Sequence, residues 1–224
     1  MAFEIRFEKI QNHIIADIEG AYALIDTGSP YSIGSRPLPF AGHEYPVRPS
    51  ASGADLKEIS EQLVVNLEWL IGADVLGHHR IDIDWSTGTL GRADTPQEAD
   101  AVEPMMVFKG IPVITVILND ARTSMFFDTG AKISYARKEL VEHLDVTGHA
   151  EDFYPGFGRF KTPLRDVHAK ISGQELTLKV GQLPQLLEAN LLSYGVHGIV
   201  GNDIFETFSK VSIDYPARRF AITR

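Results

Sequence analysis

The chain has 224 residues, 44% of them hydrophobic and 23% charged, with a formal net charge of −9 and no cysteine. That apolar share builds a core and excludes a disordered chain. The acidic balance, with no Lys/Arg stripe, excludes a phosphate-backbone binder, and the missing thiols exclude disulfides, thiolate catalysis and cysteine-type metal sites.

In chain order, residues 3–10 alternate apolar and charged side chains, which predicts a strand and not a targeting peptide; no separate pro-segment is expected ahead of it. Residues 13–18 and 21–25 read as further strands, the second running into Asp26-Thr27-Gly28-Ser29. Residues 55–63 predict a helix, and Ser86-Thr87-Gly88 a hairpin tip. Residues 93–104 are polar, lack sheet periodicity and carry Pro96 and Pro104, so they read as a linker between an N-terminal lobe (1–92) and a C-terminal lobe (105–224). Residues 1–103 carry a net charge of −10 and residues 104–224 one of +1, which reads as a solvated acidic surface on the first half. Strands are predicted at 113–118, 124–127, 167–171 and 176–180, with tips at Ser172-Gly173-Gln174 and Pro216-Ala217. A helix is predicted over 136–144, with Ala136, Leu140, Val141 and Leu144 on one face, and a helical turn over 202–208. The longest apolar stretch, 111–118, is interrupted by Pro112 and Thr115 and is too short to span a bilayer. A cytoplasmic chain without a membrane or nucleic-acid partner is expected.

Three blocks recur in the same order in both halves. Ala23-Leu24-Ile25-Asp26-Thr27-Gly28-Ser29 matches Met125-Phe126-Phe127-Asp128-Thr129-Gly130-Ala131. Leu70-Ile71-Gly72-Ala73-Asp74-Val75-Leu76 matches Ile199-Val200-Gly201-Asn202-Asp203-Ile204-Phe205, and Ile81-Asp82-Ile83-Asp84-Trp85 matches Val211-Ser212-Ile213-Asp214-Tyr215. One Asp-Thr-Gly triplet is an ordinary turn after a strand. Two, each followed by two further matched blocks, are a duplication.

On these residues the chain resembles the aspartic peptidases, with lobes the length of a retropepsin subunit fused as in a pepsin. The resemblance implies an all-β fold of two pseudo-two-fold-related lobes with a cleft between them. It also implies a catalytic pair, Asp26 and Asp128, one from each lobe. Thr27, Gly28, Ser29, Thr129, Gly130 and Ala131 would hold the two loops, and Gly72 and Gly201 match the glycines where a strand passes beneath each loop. The chemistry explains the residue types. Amide hydrolysis by an activated water needs one carboxylate to take a proton and another carboxyl to hydrogen-bond the scissile carbonyl. Two carboxyls in contact cannot both ionise cheaply, so they share a proton. No metal or organic cofactor is called for, the partner is a peptide or protein substrate, and a monomer suffices because both Asp residues lie on one chain.

Ser29 has a hydroxyl that could favour ionised Asp26, whereas Ala131 has none for Asp128; the shared proton is therefore expected on Asp128. Two positions depart from the family pattern. Pro30 follows Ser29, and Lys132 stands where retropepsins carry an Asp; its side chain is expected to point to solvent. A covering flap is expected on the second lobe only, at residues 152–160, with Phe153, Tyr154, Gly156 and Phe157 over the substrate. The corresponding place in the first lobe, residues 50–54, has no aromatic.

His78-His79 with Asp82 and Asp84 suggests a metal, but adjacent histidines on a strand face opposite ways, so a structural role is expected. No serine-hydrolase, P-loop or zinc-protease motif is present. The alternative readings are a catalytically silent peptide-binding module on the same fold and, more remotely, a glycosidase using the same carboxylates.

Overall fold

The computed structural model describes residues 2–51, 55–92, 99–155 and 157–224. The first half runs β1 (Phe3–Ile10), β2 (His13–Ile18), β3 (Ala21–Ile25), β4 (Ile33–Gly34), β5 (Leu38–Phe40), β6 (His43–Tyr45), α1 (Leu56–Leu63), β7 (Leu67–Ile71), α2 (Ala73–Leu76), β8 (Arg80–Asp84) and β9 (Thr89–Arg92). The second runs β10 (Ala101–Pro104), β11 (Met106–Phe108), β12 (Ile111–Leu118), β13 (Ala121–Phe127), β14 (Ser134–Ala136), α3 (Lys138–Val141), β15 (Gly148–Tyr154), β16 (Gly158–Ile171), β17 (Gln174–Gln182), α4 (Gln185–Ser193) and β18 (Gly198–Val200). A 3-10 turn at Asn202–Glu206, β19 (Lys210–Asp214) and β20 (Arg219–Thr223) complete it. The chain is all-β, and none of its described helices is long and apolar enough to cross a membrane.

Strands 1 to 3 fall where the alternation puts them, and the turns between them have a local cause. Gln11 and Asn12 both take positive φ (49° and 65°), as do Glu19 and Gly20, Asn119 and Asp120, and Ser172 and Gly173. Two consecutive left-handed residues make the turn whose twist matches that of the flanking strands. Helix α1 starts at Asp55, whose side chain accepts from Lys57 N at 2.9 Å, and buries Ile59 and Leu63.

Two sheets carry the structure. The larger has the order β10-β20-β19-β8-β9-β1-β2-β3-β7-β4, the other β11-β12-β13-β18-β14-β17-β16-β15. The two halves join where β8 pairs antiparallel with β19. The register runs Lys210↔Asp84, Ser212↔Asp82 and Asp214↔Arg80, symmetric about the Asp82–Ser212 pair. Ile81, Ile83, Val211 and Ile213 point inward from these strands into one core that contains Trp69, Phe127 and Phe220 from both halves.

Two expectations are corrected and a third is met over a shorter span. Residues 101–104 of the expected linker form β10, paired with β20 from Ala101↔Ile222 to Pro104↔Arg219; residues 93–98 lie outside the described residues. The 136–144 helix shrinks to the single turn α3, because Ala136 is drawn into β14 between β17 and β18. The 202–208 turn is a 3-10 helix at Asn202–Glu206.

Candidate active site

Strands β3 and β13 end in buried apolar triplets, Ala23-Leu24-Ile25 and Met125-Phe126-Phe127. Each lies parallel to a second strand, β7 or β18. That pairing carries Asp26 N to Ile71 O and Asp128 N to Val200 O, both at 3.0 Å. Beyond the strands the two loops interlock. Thr27 N donates to Thr129 Oγ1 (3.1 Å) and Thr129 N to Thr27 Oγ1 (3.0 Å). Each hydroxyl in turn donates across the seam, Thr27 to Phe127 O and Thr129 to Ile25 O, at 2.8 Å each. Both threonines are fully buried. Four buried bonds of about 1 kcal/mol each tie the loops face to face.

The interlock brings Asp26 and Asp128 together. A Cβ built on Gly28 would lie 2.1 Å from Asp128 Cγ, and one on Gly130 would lie 2.5 Å from Asp26 Cγ. Only glycine allows that approach. The two carboxyls lie close enough to perturb each other and remain half-buried, with Asp26 on the wall of a cavity.

A second layer braces each loop from below. Gly72 N donates to Ser32 Oγ (2.9 Å), which donates to Asp74 Oδ1 (2.6 Å). Gly201 N donates to Ser134 Oγ (3.1 Å), which donates to Asp203 Oδ1 (2.7 Å). A Cβ on Gly72 would meet the Tyr31 carbonyl at 2.6 Å, and one on Gly201 the Ile133 carbonyl oxygen at 2.4 Å. Sequence reasoning missed Ser32, Ser134, Asp74 and Asp203, yet a signal was there: each Ser lies six residues after its Asp-Thr-Gly aspartate.

The two braces differ in burial. Asp74 is exposed, whereas Asp203 is 7% exposed and its Oδ2 has no hydrogen-bond partner. Burial raises the Asp203 carboxyl to about 7. A carboxyl raised in the folded state contributes stability at low pH that is lost as pH rises from about 4 through 7, at roughly 1.4 kcal/mol per unit. Asp203→Asn, which retains an acceptor for Ser134, is therefore expected to melt at a higher temperature than the unchanged chain above neutral pH. The gain, on the order of 2–4 kcal/mol, should fade toward pH 4. A melting-temperature difference that does not change with pH would contradict the assignment.

Burial, and then the adjacent charge of Asp128, raise the Asp26 carboxyl well above its ordinary range. Burial raises Asp128 as well, opposed by backbone N–H groups of Gly130, Gly28 and Ala131. The pair therefore holds one proton between its members and titrates as a unit. The expected Ser29 donor is corrected: its hydroxyl donates to Tyr31 O at 2.8 Å, and it is Ser29 N that reaches Asp26 Oδ1, at 2.9 Å. The reason given for a proton on Asp128 thus disappears.

Strands β15 and β16 form the hairpin expected at 152–160, in register from Gly148↔Leu164 to Tyr154↔Gly158. Phe153 and Pro155 cover a cavity of about 160 Å³ beside Asp26 and Gly130; its opposite wall is Ile59, Gln62 and Leu63 of α1. Tyr154 keeps 45% of its surface exposed. Its hydroxyl is nonetheless raised by burial and then by the charges of Asp128 and Asp26, but it does not line that cavity. Phe157 is 40% exposed and packs edge-on against Phe160. Gly156 lies outside the described residues, as do positions 52–54 of the first-half counterpart.

The expected solvent-pointing Lys132 is also corrected. Its ammonium pairs with Asp152 at 3.2 Å and donates to the Glu151 carbonyl, tying the outer part of strand β15 to the second Asp loop. Asn12, in the β1–β2 turn, donates to Lys132 O, and Asn202 donates to Asn12 O at 2.8 Å and Thr129 O at 2.7 Å. These bonds fasten the second loop to the first half, and no pattern in the chain announces them. His79 is engaged by Tyr45 through a 2.8 Å hydrogen bond, and His78 stacks on the same ring. A larger concavity, about 800 Å³ over β8, β9, β19 and β20, includes no residue of either Asp loop.

No protein-family model matches the chain, and no curated protein matches it. Among solved structures it is similar to a retropepsin-like aspartic protease from Rickettsia conorii, with 18% identity over 57% of this chain and 96% of that one and a TM-score of 0.39. It is also similar to the EIAV protease in complex with an inhibitor (20% identity, 43% and 86% coverage, TM-score 0.33). The simian foamy virus protease matches at 11% identity, with 42% and 91% coverage and a TM-score of 0.33.

Proposed function

We propose that this chain is a single-chain aspartic endopeptidase, duplicated within itself, that hydrolyses peptide bonds with a water held between Asp26 and Asp128. One observation carries the reading: two carboxyls from matching loops are each pressed against the glycine of the other's loop, close enough that each alters the other's ionisation. Residues 1–92 and 105–224 are the two copies, and the recurrence of the Thr, Gly and Ser–Asp bonds in both supports that division.

One carboxyl of the pair holds the shared proton and directs it at the scissile carbonyl oxygen. The other, ionised, takes a proton from the water as the water oxygen bonds to the carbonyl carbon. The tetrahedral diol then collapses. Its C–N bond breaks as the nitrogen receives the proton taken from the water, and the first carboxyl recovers its own from the diol. Atoms balance without a covalent intermediate. Thr27, Gly28, Ser29, Thr129, Gly130 and Ala131 fix the loops, Gly72 and Gly201 let the braces pass beneath them, and Phe153, Tyr154 and Phe157 cover the substrate. A pair held above the ordinary carboxylate range keeps its single proton toward neutral pH, which suits a cytoplasmic setting.

The test is a mixed peptide library incubated with purified protein from acid to neutral pH without added metal. Internal cleavage is expected, blocked by a peptide bearing a tetrahedral hydroxyl in place of the scissile carbonyl. Saturable peptide binding without cleavage at any pH would instead establish the silent binding module.

A further inference from the structure

Resting on that reading of the site, we propose that Arg159 determines specificity by selecting peptides with an acidic side chain in the subsite between Asp26, α1 and the β15–β16 hairpin. The cavity there, about 160 Å³, is of the size that holds one benzene ring, so it admits a single side chain. Leu24, Ile59, Leu63 and Phe153 give it apolar lining that suits a methylene stem. Most of the remaining lining is polar, Asp26 included, and its charges decide which head group is favoured.

Most of those charges are already compensated. Lys132 is paired with Asp152 at 3.2 Å, and Glu151 with Lys161 at 2.9 Å. Asp152 also accepts the Tyr135 hydroxyl. His13, another lining residue, is held toward its neutral form by burial. Arg159 differs. Its Nη2 donates to the neutral Gln62 Oε1 at 2.6 Å; among the described residues no carboxylate lies within ion-pair distance of it, and the Glu151 carboxylate, already paired with Lys161, acts on it only at longer range. A guanidinium carries five donors in a planar fork matched to a carboxylate, so a single amide contact leaves most of that capacity available.

The hairpin aims the group at the cavity. Phe153 and Arg159 are directly opposed partners in the β15–β16 register, and opposed residues project from the same face. Both line the cavity. The ring thus covers the stem of an entering side chain while the guanidinium meets its end. A glutamate carboxylate gains the fork, a glutamine at the same place loses the charge-assisted bond, and a lysine is repelled. Gln62 holds the guanidinium from α1, which fixes its position before substrate arrives.

The experiment uses peptides that differ only in Glu, Gln, Leu or Lys at each position flanking the cleaved bond. They are compared with the unchanged chain, Arg159→Gln and Arg159→Glu. At one position the unchanged chain should cleave the Glu peptide about tenfold more efficiently in kcat/KM than the Gln peptide, a preference that shrinks with added salt. The difference should lie in KM. It should vanish in Arg159→Gln and turn toward Lys in Arg159→Glu. Arg159 is exposed, and unchanged melting temperatures will show that both variants fold. Cleavage without a Glu preference, or a preference that survives Arg159→Gln, overturns the proposal and leaves the peptidase reading intact. If no peptide is cleaved, the peptidase reading falls; equilibrium binding of the Glu and Gln peptides to the unchanged chain and to Arg159→Gln then decides the role of Arg159 by the same tenfold criterion.

Discussion

Asp26→Asn and Asp128→Asn are each expected to lower kcat by about 10²–10⁴-fold or more, and by similar factors, while making the protein harder to unfold at neutral pH. The loss is shared because the pair acts as a unit: a lone carboxyl can take the water's proton or polarise the carbonyl, but not both. The gain in stability comes from the same geometry. Burial, then the neighbouring charge, raises Asp26 above its unfolded value, and burial raises Asp128. For carboxyls raised in the folded state, stability is fully present at acid pH and is lost as pH climbs past the unfolded value. An amide at either site removes part of that loss, so the melting temperature of each variant should exceed that of the unchanged chain by a margin that widens from acid to neutral pH. Single-turnover kinetics and thermal melts across that range check both halves. A variant that loses activity and is also destabilised at neutral pH would show that the carboxyls are not sharing a proton.

Gly28→Ala is the second large expectation. The added carbon would sit 2.1 Å from Asp128 Cγ and 2.3 Å from each carboxylate oxygen, well inside contact distance. The obstacle cannot rotate away freely, because Asp128 is held by Gly130 N at 2.8 Å. The loops must therefore separate, breaking bonds of the threonine interlock. A cost on the order of 3–4 kcal/mol is expected, in the range of severe packing errors, together with loss of hydrolysis. Gly20→Ala is the control. Nothing lies within 4 Å of its added carbon, though its φ is +84°, so it should cost about 1 kcal/mol of backbone strain with kcat unchanged. Denaturant titration and kinetics on both variants make the comparison. Wild-type turnover in Gly28→Ala would mean that the loops are not in the contact described.

The Asp-Thr-Gly loops were legible because one small set of residues serves chemistry and backbone together: acid for the proton, hydroxyl for the cross-seam bond, glycine for the close approach. Strands 1 to 3 were legible because their alternation is local. What the sequence concealed depends on partners far along the chain. The Ser29 hydroxyl could serve Asp26 or a carbonyl, and only the path of the loop past Tyr31 selects the carbonyl. Lys132 reads as solvent-facing until Asp152 of the hairpin is placed beside it. Asn12 and Asn202 meet across 190 positions, a distance no pattern spans. Strand β10 has only four residues, one of them proline, and becomes a strand because β20 offers it an edge.

The β8–β19 seam, centred on Asp82 and Ser212, has a further consequence. A cleft assembled from separate subunits empties as the protein is diluted, and its output then scales steeply with abundance. Here the two contributors are covalently tethered and stitched edge to edge, so on the peptidase reading specific turnover should stay constant from crowded to sparse solutions.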